Sequence, residues 1–478
     1  MEYYVTLPNK NNFKMKKIIF TLLFVHTLAW AQHRVDKWYF GVLAGLDFTG
    51  GSPVAISPSA INTNEGCSSM SDSLGNLLFY SDGVTVWNRM HQVMPNGTGL
   101  TGGISATQSA LIVPLPGSST VYFIFTVDEA GGANGFRYSE VDMTLDGGNG
   151  DVTANKNIFI LDHVTEKLTA VQHNNGTDYW IAVHEWGSDA FYVYLLTSSG
   201  LQAAPVISHT GIIHDSTQIQ NSYGQMKFSS CGNYIALAAG YLNTAELFNF
   251  NNSVGVVSNP VTIYFFDHVY GTEFSPDANR LYVSTYAGGG SIEQFDLSSG
   301  IPATIIASQT NVALVTDVYA LQTGPDGKIY VCKSFNSHLG VINIPNALAP
   351  SCNFVDHFVD LDPNFNGVTS ALGLPGFVQS FVGSVDDCLS TGIFGSNEIR
   401  NENIFPNPAG NKLAIGNMQL AISSIDIFDI TGRKVFSESV KDPVEQQISI
   451  DVSGLVSGIY FIKVNDIKEE KVMKFVKE

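Results

Sequence analysis

Cysteine is scarce in this chain, and what is missing around it is informative. Five cysteines, Cys67, Cys231, Cys332, Cys352 and Cys388, lie far apart in 478 residues with no CxxC pair, which disfavours a zinc knuckle or a dithiol redox motif. Charge is equally sparse, at 14% of the residues. Basic residues are the rarest of all in the main body: residues 32–400 hold about 11 Lys and Arg against about 31 Asp and Glu, while residues 401–478 hold about 9 against about 11. So acidic a body repels phosphate backbones and anionic lipid, and it argues against nucleic-acid and membrane-surface partners. Past the first thirty residues no apolar run is long enough to span a bilayer. Neither a GxSxG elbow nor a phosphate-binding P-loop occurs.

What the chain does have is apolar bulk: 44% hydrophobic residues, with 45 Gly, 30 Phe and 19 Tyr. That composition excludes a disordered chain and points to many short, aromatic-rich strands joined by tight turns. An all-β fold is expected.

The stretch "MKKIIFTLLFVHTLAWAQ", residues 15–32, carries two lysines, a short apolar core and the small residues Ala29 and Ala31 before Gln32. This is the pattern of a secretory signal peptide, with cleavage expected after Ala31 and translation from Met15. Export permits a disulfide, and Cys352 with Cys388 is the pair expected first, because both follow the last repeat; Cys332, inside an apolar strand, reads as a buried free thiol.

Repetition carries the architecture. A turn containing Gly, Asn or Asp followed by a short β-run recurs as "SLGNLLFYS", "GSSTVYFIFT", "NNGTDYWIAV", "SSCGNYIALA", "SPDANRLYVST" and "GPDGKIYVCK". The anchors Leu78, Tyr122, Tyr179, Tyr234, Tyr282 and Tyr330 are separated by roughly 45 to 57 residues, the length of a four-stranded propeller blade. Second alternating strands follow at 191–196, 291–297 and 339–345, and "KWYFGVLAGLDF", 37–48, supplies a further partial unit. One such sheet has two apolar faces that it cannot bury alone, so sheets stack radially and close. A β-propeller of about seven blades over 32–382 is predicted; a pair of β-sandwiches or a β-helix is the alternative.

"FSPDANRLYVS" and "TGPDGKIYVC" resemble the blade motif of the YVTN and WD-like propellers. The segments "EGCSSMSDSLGNLLFYSDGVTVWNRMHQVMPNGTGL", "TQSALIVPLPG", "VYFIFTVD", "LGVINIPNAL" and "LGLPGFVQSF" resemble a propeller of secreted and surface proteins of the Bacteroidota. That resemblance implies architecture and location, without an activity to carry over.

Residues 383–403 are a polar linker without periodicity, and a stiff joint follows at Pro406, Asn407 and Pro408. Prolines lack the amide donor that a sheet interior demands, so they hold such a joint extended. About seven short alternating strands fill 404–478, enough for a small β-sandwich. The Pro-Asn-Pro opening, the hairpin carrying Asp429, Gly432, Arg433 and Val435, the step Leu455, Gly458, Tyr460, and the basic terminus from Lys474 together resemble the type A C-terminal sorting domain of the type IX secretion system. The resemblance implies passage across the outer membrane by that machinery, then removal of the tail or anchoring by a sortase-like peptidase, with the protein secreted or held at the cell surface.

Catalytic motifs are weak. "HEWGS", 184–188, begins like a zinc-protease helix but has Ser188 in place of the second histidine, and its flanks read as strands. Asp360, Asp362 and Asn364 put oxygens at alternate positions, a spacing open to calcium, although the closing bidentate Glu of an EF-hand is absent; a solvated turn is the plainer reading and no cofactor is required. Trp87, Trp180 and Trp186, with His184, are candidate ligand platforms, or else filling between blades. Two functions follow: a module binding an extracellular glycan or protein over the loop face of the ring, or a propeller glycoside hydrolase or polysaccharide lyase whose acids come from several blades. Facing carboxylates with one proton affinity raised would favour the enzyme, and acids scattered among aromatics would favour binding.

Overall fold

The structure, a computed structural model, describes residues 33–382 and, beyond them, 404–405, 409–416, 422–429, 433–439, 447–466 and 470–477. The chain divides into two compact units, residues 1–390 and 391–478. The expected signal cleavage at Ala29, Ala31 and Gln32, the linker, Pro406, Asn407, Pro408 and Gly432 lie outside the described residues.

The first unit is a β-propeller. Six consecutive sheets of four strands or more run in chain order from Ser68 to Asp360, each an antiparallel meander. The six anchors Leu78, Tyr122, Tyr179, Tyr234, Tyr282 and Tyr330 all fall in the second strand of successive blades: Leu77–Ser81, Val121–Val127, Tyr179–Glu185, Tyr234–Ala239, Arg280–Thr285 and Ile329–Lys333. An Asx turn starts several of them. In blade 6, Asp326 accepts from the Lys328 amide and, at 2.8 Å, from the Tyr330 hydroxyl. In blade 5, Asp277 accepts from the Asn279 amide at 3.0 Å. A short polar side chain that satisfies its own turn sets the register of the strand behind it.

The first strands of the blades pack against one another around the axis. Their side chains there are partly polar, and paired. Lys227 of blade 4 faces Glu273 of blade 5 at 3.3 Å and donates to Gln322 of blade 6, all three fully buried. Glu273 also accepts from the Thr323 and Phe274 amides, each at 3.0 Å. A buried charge is tolerated only when paired and hydrogen-bonded in this way.

The seventh blade uses both ends of the unit. Its three strands, Lys37–Phe40, Ala44–Asp47 and Val54–Ala55, come from the start. Trp38 and Phe48 pack edge-on against Tyr330 of blade 6 at 5.5 and 5.3 Å, and the Ser69 hydroxyl of blade 1 donates to the Lys37 carbonyl. Residues 369–380 then return along the axis: Thr369 bridges Val42, Pro375 bridges Cys67, Val378 bridges Ala170, and the Ser380 hydroxyl meets the Gln172 amide. Gly373 lies so close to blade 1 that a Cβ there would stand 2.0 Å from the Glu65 carbonyl oxygen. The ring has a filled axis.

Cys352 is free and buried, as are Cys67 and Cys332, whereas Cys231 is disulfide-bonded. The expected Cys352 pairing therefore fails: Cys352 sits in the apolar cluster of Tyr282, Val331 and Ile342, where its thiol serves as a small hydrophobe.

The second unit is a small sandwich. One sheet orders Ile404–Phe405, Lys412–Gly416 and Gln447–Asp451; the other orders Lys434–Ser439, Ile422–Asp429, Gly458–Asp466 and Glu470–Lys477. Leu413, Ile425, Ile427, Ile450, Tyr460, Ile462 and Phe475 form its core. Asp429 closes a hairpin by accepting from the Arg433 amide at 3.2 Å and its Nε at 3.0 Å. Tyr460 donates to the Val456 carbonyl at 2.8 Å, Gly458 pairs with Lys477, and Lys474 stands opposite Phe461 in the last strand pair.

Candidate functional site at the mouth of the ring

Antiparallel neighbours alternate direction, so the start of every innermost strand shares one face of the ring with the loop joining the second and third strands. Blades 1 to 6 bring a distinctive set of side chains there. Glu65 precedes the first strand of blade 1, and Ser105 and Thr107 lie between blades 1 and 2. Glu129 and Ala130 belong to the loop of blade 2, and Glu166 and Lys167 to the first strand of blade 3, Val164–Gln172. Tyr223 precedes blade 4 and Tyr241 lies in its loop; His268 and Tyr270 open blade 5, Tyr286 follows its second strand, and Tyr319 opens blade 6.

Half of this rim is an unbroken aromatic wall. Tyr241 stacks on His268 at 4.0 Å and 8°. His268 meets Tyr286 at 5.6 Å, Tyr286 stacks on Tyr319 at 5.1 Å and 24°, and Tyr319 stands edge-on to Tyr270 at 5.1 Å. Tyr241 is exposed, Tyr286 and Tyr319 are half-buried, and Tyr270 is buried, so the wall descends from the rim toward the axis.

The other half carries carboxyls in different states. Glu166, wholly buried, accepts from the Thr107 amide and hydroxyl and from the Ala130 amide, each at 2.8 Å. Its oxygens are spent on holding the neighbouring loops, and burial raises its pKa against the pull of those donors. The Lys167 ammonium turns to the carbonyls of Ser222 and Tyr223, both at 2.9 Å, and burial lowers its pKa to about 7.

Glu65 is 9% exposed and has one long hydrogen bond, from the Ser105 hydroxyl at 3.3 Å. Burial, followed by the charge of Glu166, pushes its pKa up to about 8, so at neutral pH it is mostly the uncharged acid. Glu129 is exposed and accepts from the Ser105 amide at 3.1 Å. One serine thus holds two carboxyls. The buried Tyr270 hydroxyl comes up to Glu65 and Thr107 without a hydrogen bond of standard geometry, and burial and the Glu65 charge raise its pKa.

The platforms expected from sequence are not gathered together. Trp87 is 8% exposed and stacks on Tyr80 at 5.4 Å within blade 1. Trp180 is 4% exposed and donates to the Asn252 carbonyl at 2.8 Å across to blade 4. His184 is buried, its Nδ1 at 2.8 Å from the Glu185 carbonyl and its ring 4.1 Å from that of His214; burial pushes its pKa to about 3. Trp186 is half-buried on the mouth face, lying over Gly131 of the blade 2 loop.

Asp362 gives its two oxygens to the amides of Asn366 at 2.6 Å and Gly367 at 2.9 Å, and Asp360 accepts from the Asp362 amide at 3.0 Å. These carboxylates serve their own turn, and Asn364 is exposed beside them. Among the described residues no group of three or more His, Cys, Asp or Glu is placed to hold a metal.

Sequence reasoning missed the mouth residues. A signal was present: the innermost strands of blades 5 and 6 begin with the same dipeptide, Val269-Tyr270 and Val318-Tyr319. A tyrosine at an axis-facing strand entry, repeated in consecutive blades, marks a wall.

Residues 403–478 match the family model described as a secretion system C-terminal sorting domain. No curated protein matches the chain. Among solved structures it is similar to a protein from Bacteroides uniformis described as a candidate 6-phosphogluconolactonase, at 12% identity over 70% of this chain and 98% of that one with a TM-score of 0.45. It is also similar to one of the same description from Bacteroides fragilis, at 11% identity over 71% and 97% with a TM-score of 0.45. A third is the periplasmic gluconolactonase of Pseudomonas aeruginosa, at 12% identity over 75% and 93% with a TM-score of 0.36. The C-terminal unit marks the chain for export by the type IX secretion machinery, to the cell surface or beyond it. No helix among the described residues is long and apolar enough to cross a membrane.

Proposed function

We propose that this protein is an extracellular glycan-binding propeller, delivered by its C-terminal unit and recognising sugar at the mouth of the ring. The observation that carries the reading is the aromatic wall Tyr241, His268, Tyr286, Tyr319, Tyr270 set against the carboxyls held by Ser105. A sugar ring offers one face of C–H groups and an edge of hydroxyls. Tyrosine faces accept the first, and carboxyl, hydroxyl and phenol groups accept the second. Residues 1–31 act as the signal peptide, 32–382 as the binding unit, 383–403 as the tether and 404–478 as the sorting domain, which a sortase-like peptidase removes or exchanges for an anchor.

The test is a glycan array probed with the mature chain and with a Tyr286→Ala, Tyr319→Ala variant. Retained glycans that the variant releases at least tenfold faster support the reading; silence of the mature chain across neutral, amino and acidic glycans overturns it. Deleting residues 404–478 should leave the protein in the periplasm, and unchanged surface delivery would contradict the export route.

One observation favours a second reading, glycoside hydrolysis. Glu65 is a carboxylic acid kept protonated near neutrality, and an exposed second carboxyl, Glu129, is bound to the same serine; a general acid beside a second carboxyl is the pairing such chemistry needs. Release of reducing ends from an arrayed glycan, lost in Glu65→Gln, would move the assignment to the enzyme.

A further inference from the structure

The mouth has more carboxyl groups than a neutral sugar needs. Glu65, Glu129 and Glu166 converge on it, and Asp317 stands beside Tyr319. The basic group next to them, Lys167, is turned away to two backbone carbonyls. His268, the titratable member of the wall, has its Nδ1 engaged at 2.6 Å by the Asn243 side chain. The Tyr270 hydroxyl, on a residue only 3% exposed, comes up to Glu65 and Thr107 without a hydrogen bond of standard geometry. Carboxyls with unspent oxygens, a phenol beside them and a set of tyrosine faces are together what holds an organic cation: the ring faces attract it electrostatically and the oxygens take its N–H groups.

Resting on the glycan reading of this mouth, we propose that the sugar it takes carries a free amine, whose ammonium lodges between Glu65, Glu129 and the Tyr270 hydroxyl, with the sugar ring against Tyr286 and Tyr319. A neutral N-acetyl group brings no positive charge to the carboxyls and gains nothing from them. A uronic acid would bring negative charge to an acidic mouth, which repels it.

Bound ammonium also changes the state of Glu65. Burial and the charges of Glu166 and Glu129 keep its proton on; a cation in contact favours the carboxylate and drives that proton off. Binding of a cation of fixed charge therefore releases close to one proton at pH 7. It tightens as pH rises toward 8.

The experiment is calorimetry on the mature chain at pH 6 and 0.15 M salt with a glucosamine tetramer, its fully N-acetylated counterpart and an oligogalacturonate. Tetramethylammonium is titrated separately at pH 7 in two buffers of different ionisation enthalpy. We expect the glucosamine tetramer to bind at least tenfold tighter than the acetylated one, no binding of the galacturonate, and proton release with tetramethylammonium. Glu65→Gln and Glu129→Gln should each reduce the preference several-fold in a chain that still unfolds cooperatively, and Asp146→Asn, an exposed acid elsewhere on the ring, should not. Equal or tighter binding of the acetylated tetramer overturns the amine proposal and leaves the glycan reading standing. A preference that survives in the Glu65→Gln, Glu129→Gln double variant also overturns it, since the amine is then held by the general acidity of the surface. Tetramethylammonium binding without any sugar binding keeps the cation site and ends the glycan reading; calcium binding in the absence of amine binding, or no binding at all, ends the proposal.

Discussion

Trp38, from the first strand of the described chain, packs edge-on against Tyr330 of the sixth blade at 5.5 Å and 78°. The contact joins the two ends of the ring, and both rings are fully buried. Trp38 also meets Phe377 of the returning segment at 5.7 Å, so one indole touches each part that closes the circle.

Trp38→Ala should therefore cost about 3–5 kcal/mol, the range for emptying a large aromatic site in a core. Urea unfolding followed by tyrosine and tryptophan fluorescence measures it. A loss below about 1 kcal/mol would mean that the ring closes without this contact.

The polar clamp on the axis makes an asymmetric prediction. Lys227→Met leaves Glu273 buried without its ion pair and should destabilise by about 3–5 kcal/mol, whereas Lys227→Met with Glu273→Leu should recover most of that loss. Equal losses in the single and double variants would show that the pair itself, rather than the stranded charge, carries the stability.

Gly131 has φ +66° and lies flat beneath the Trp186 indole, where a Cβ would stand 1.5 Å from the ring. Gly131→Ala should lower the melting temperature by several degrees, and adding Trp186→Ala should restore part of it by removing the clash while the positive φ remains unfavourable. No recovery in the double variant would place the whole cost in the backbone.

Two groups set opposite pH dependences. The pKa of His184 is pushed to about 3 and that of His214 well below its ordinary value, both by burial. The unfolded chain then binds more protons once pH falls below about 6.5, and stability drops toward acid by up to about 1.4 kcal/mol per pH unit for each histidine. Replacing both by Gln should flatten that limb of the stability profile; an unchanged slope between pH 6 and 4 would contradict their neutrality in the fold.

Glu65 works the other way. Its pKa is about 8 in the folded chain, above the 4.5 of a free glutamate, so its contribution is fully present below about pH 4.5 and is lost as pH rises through 8. Glu65→Gln should stabilise the protein relative to the native chain at pH 9 and not at pH 4. Parallel chemical-denaturation series at the two values decide it, and no difference between them would mean that Glu65 is solvated. A binding group held at a cost to stability is expected where the ligand supplies the missing charge.

Much of this was legible in the sequence, and for a definite reason. Local turn chemistry and alternation are properties of neighbouring residues, so the Asx turns before Tyr282 and Tyr330 and the aromatic anchors announced the second strand of each blade without any knowledge of the ring. The C-terminal unit was legible likewise, since the Asp429–Arg433 hairpin and the Gly458–Tyr460 step are local. The roles of the tryptophans were not. Trp87, Trp180 and Trp186 look alike in a string, yet exposure depends on what tertiary packing lays against each: Tyr80 from the next strand of blade 1, Asn252 from blade 4, Gly131 from blade 2.

Sequence alone determined that this chain is a repeated β-protein carrying an export domain, because period, turn chemistry and strand alternation need only contacts a few residues long. The tertiary structure alone decided where the acids and tyrosines meet. Glu65, Glu129, Tyr270 and Tyr319 come from four different blades, and only closure of the ring brings their strand entries and loops to one mouth, where burial and neighbouring charge raise the proton affinities of Glu65 and Tyr270 in a way no local sequence could set.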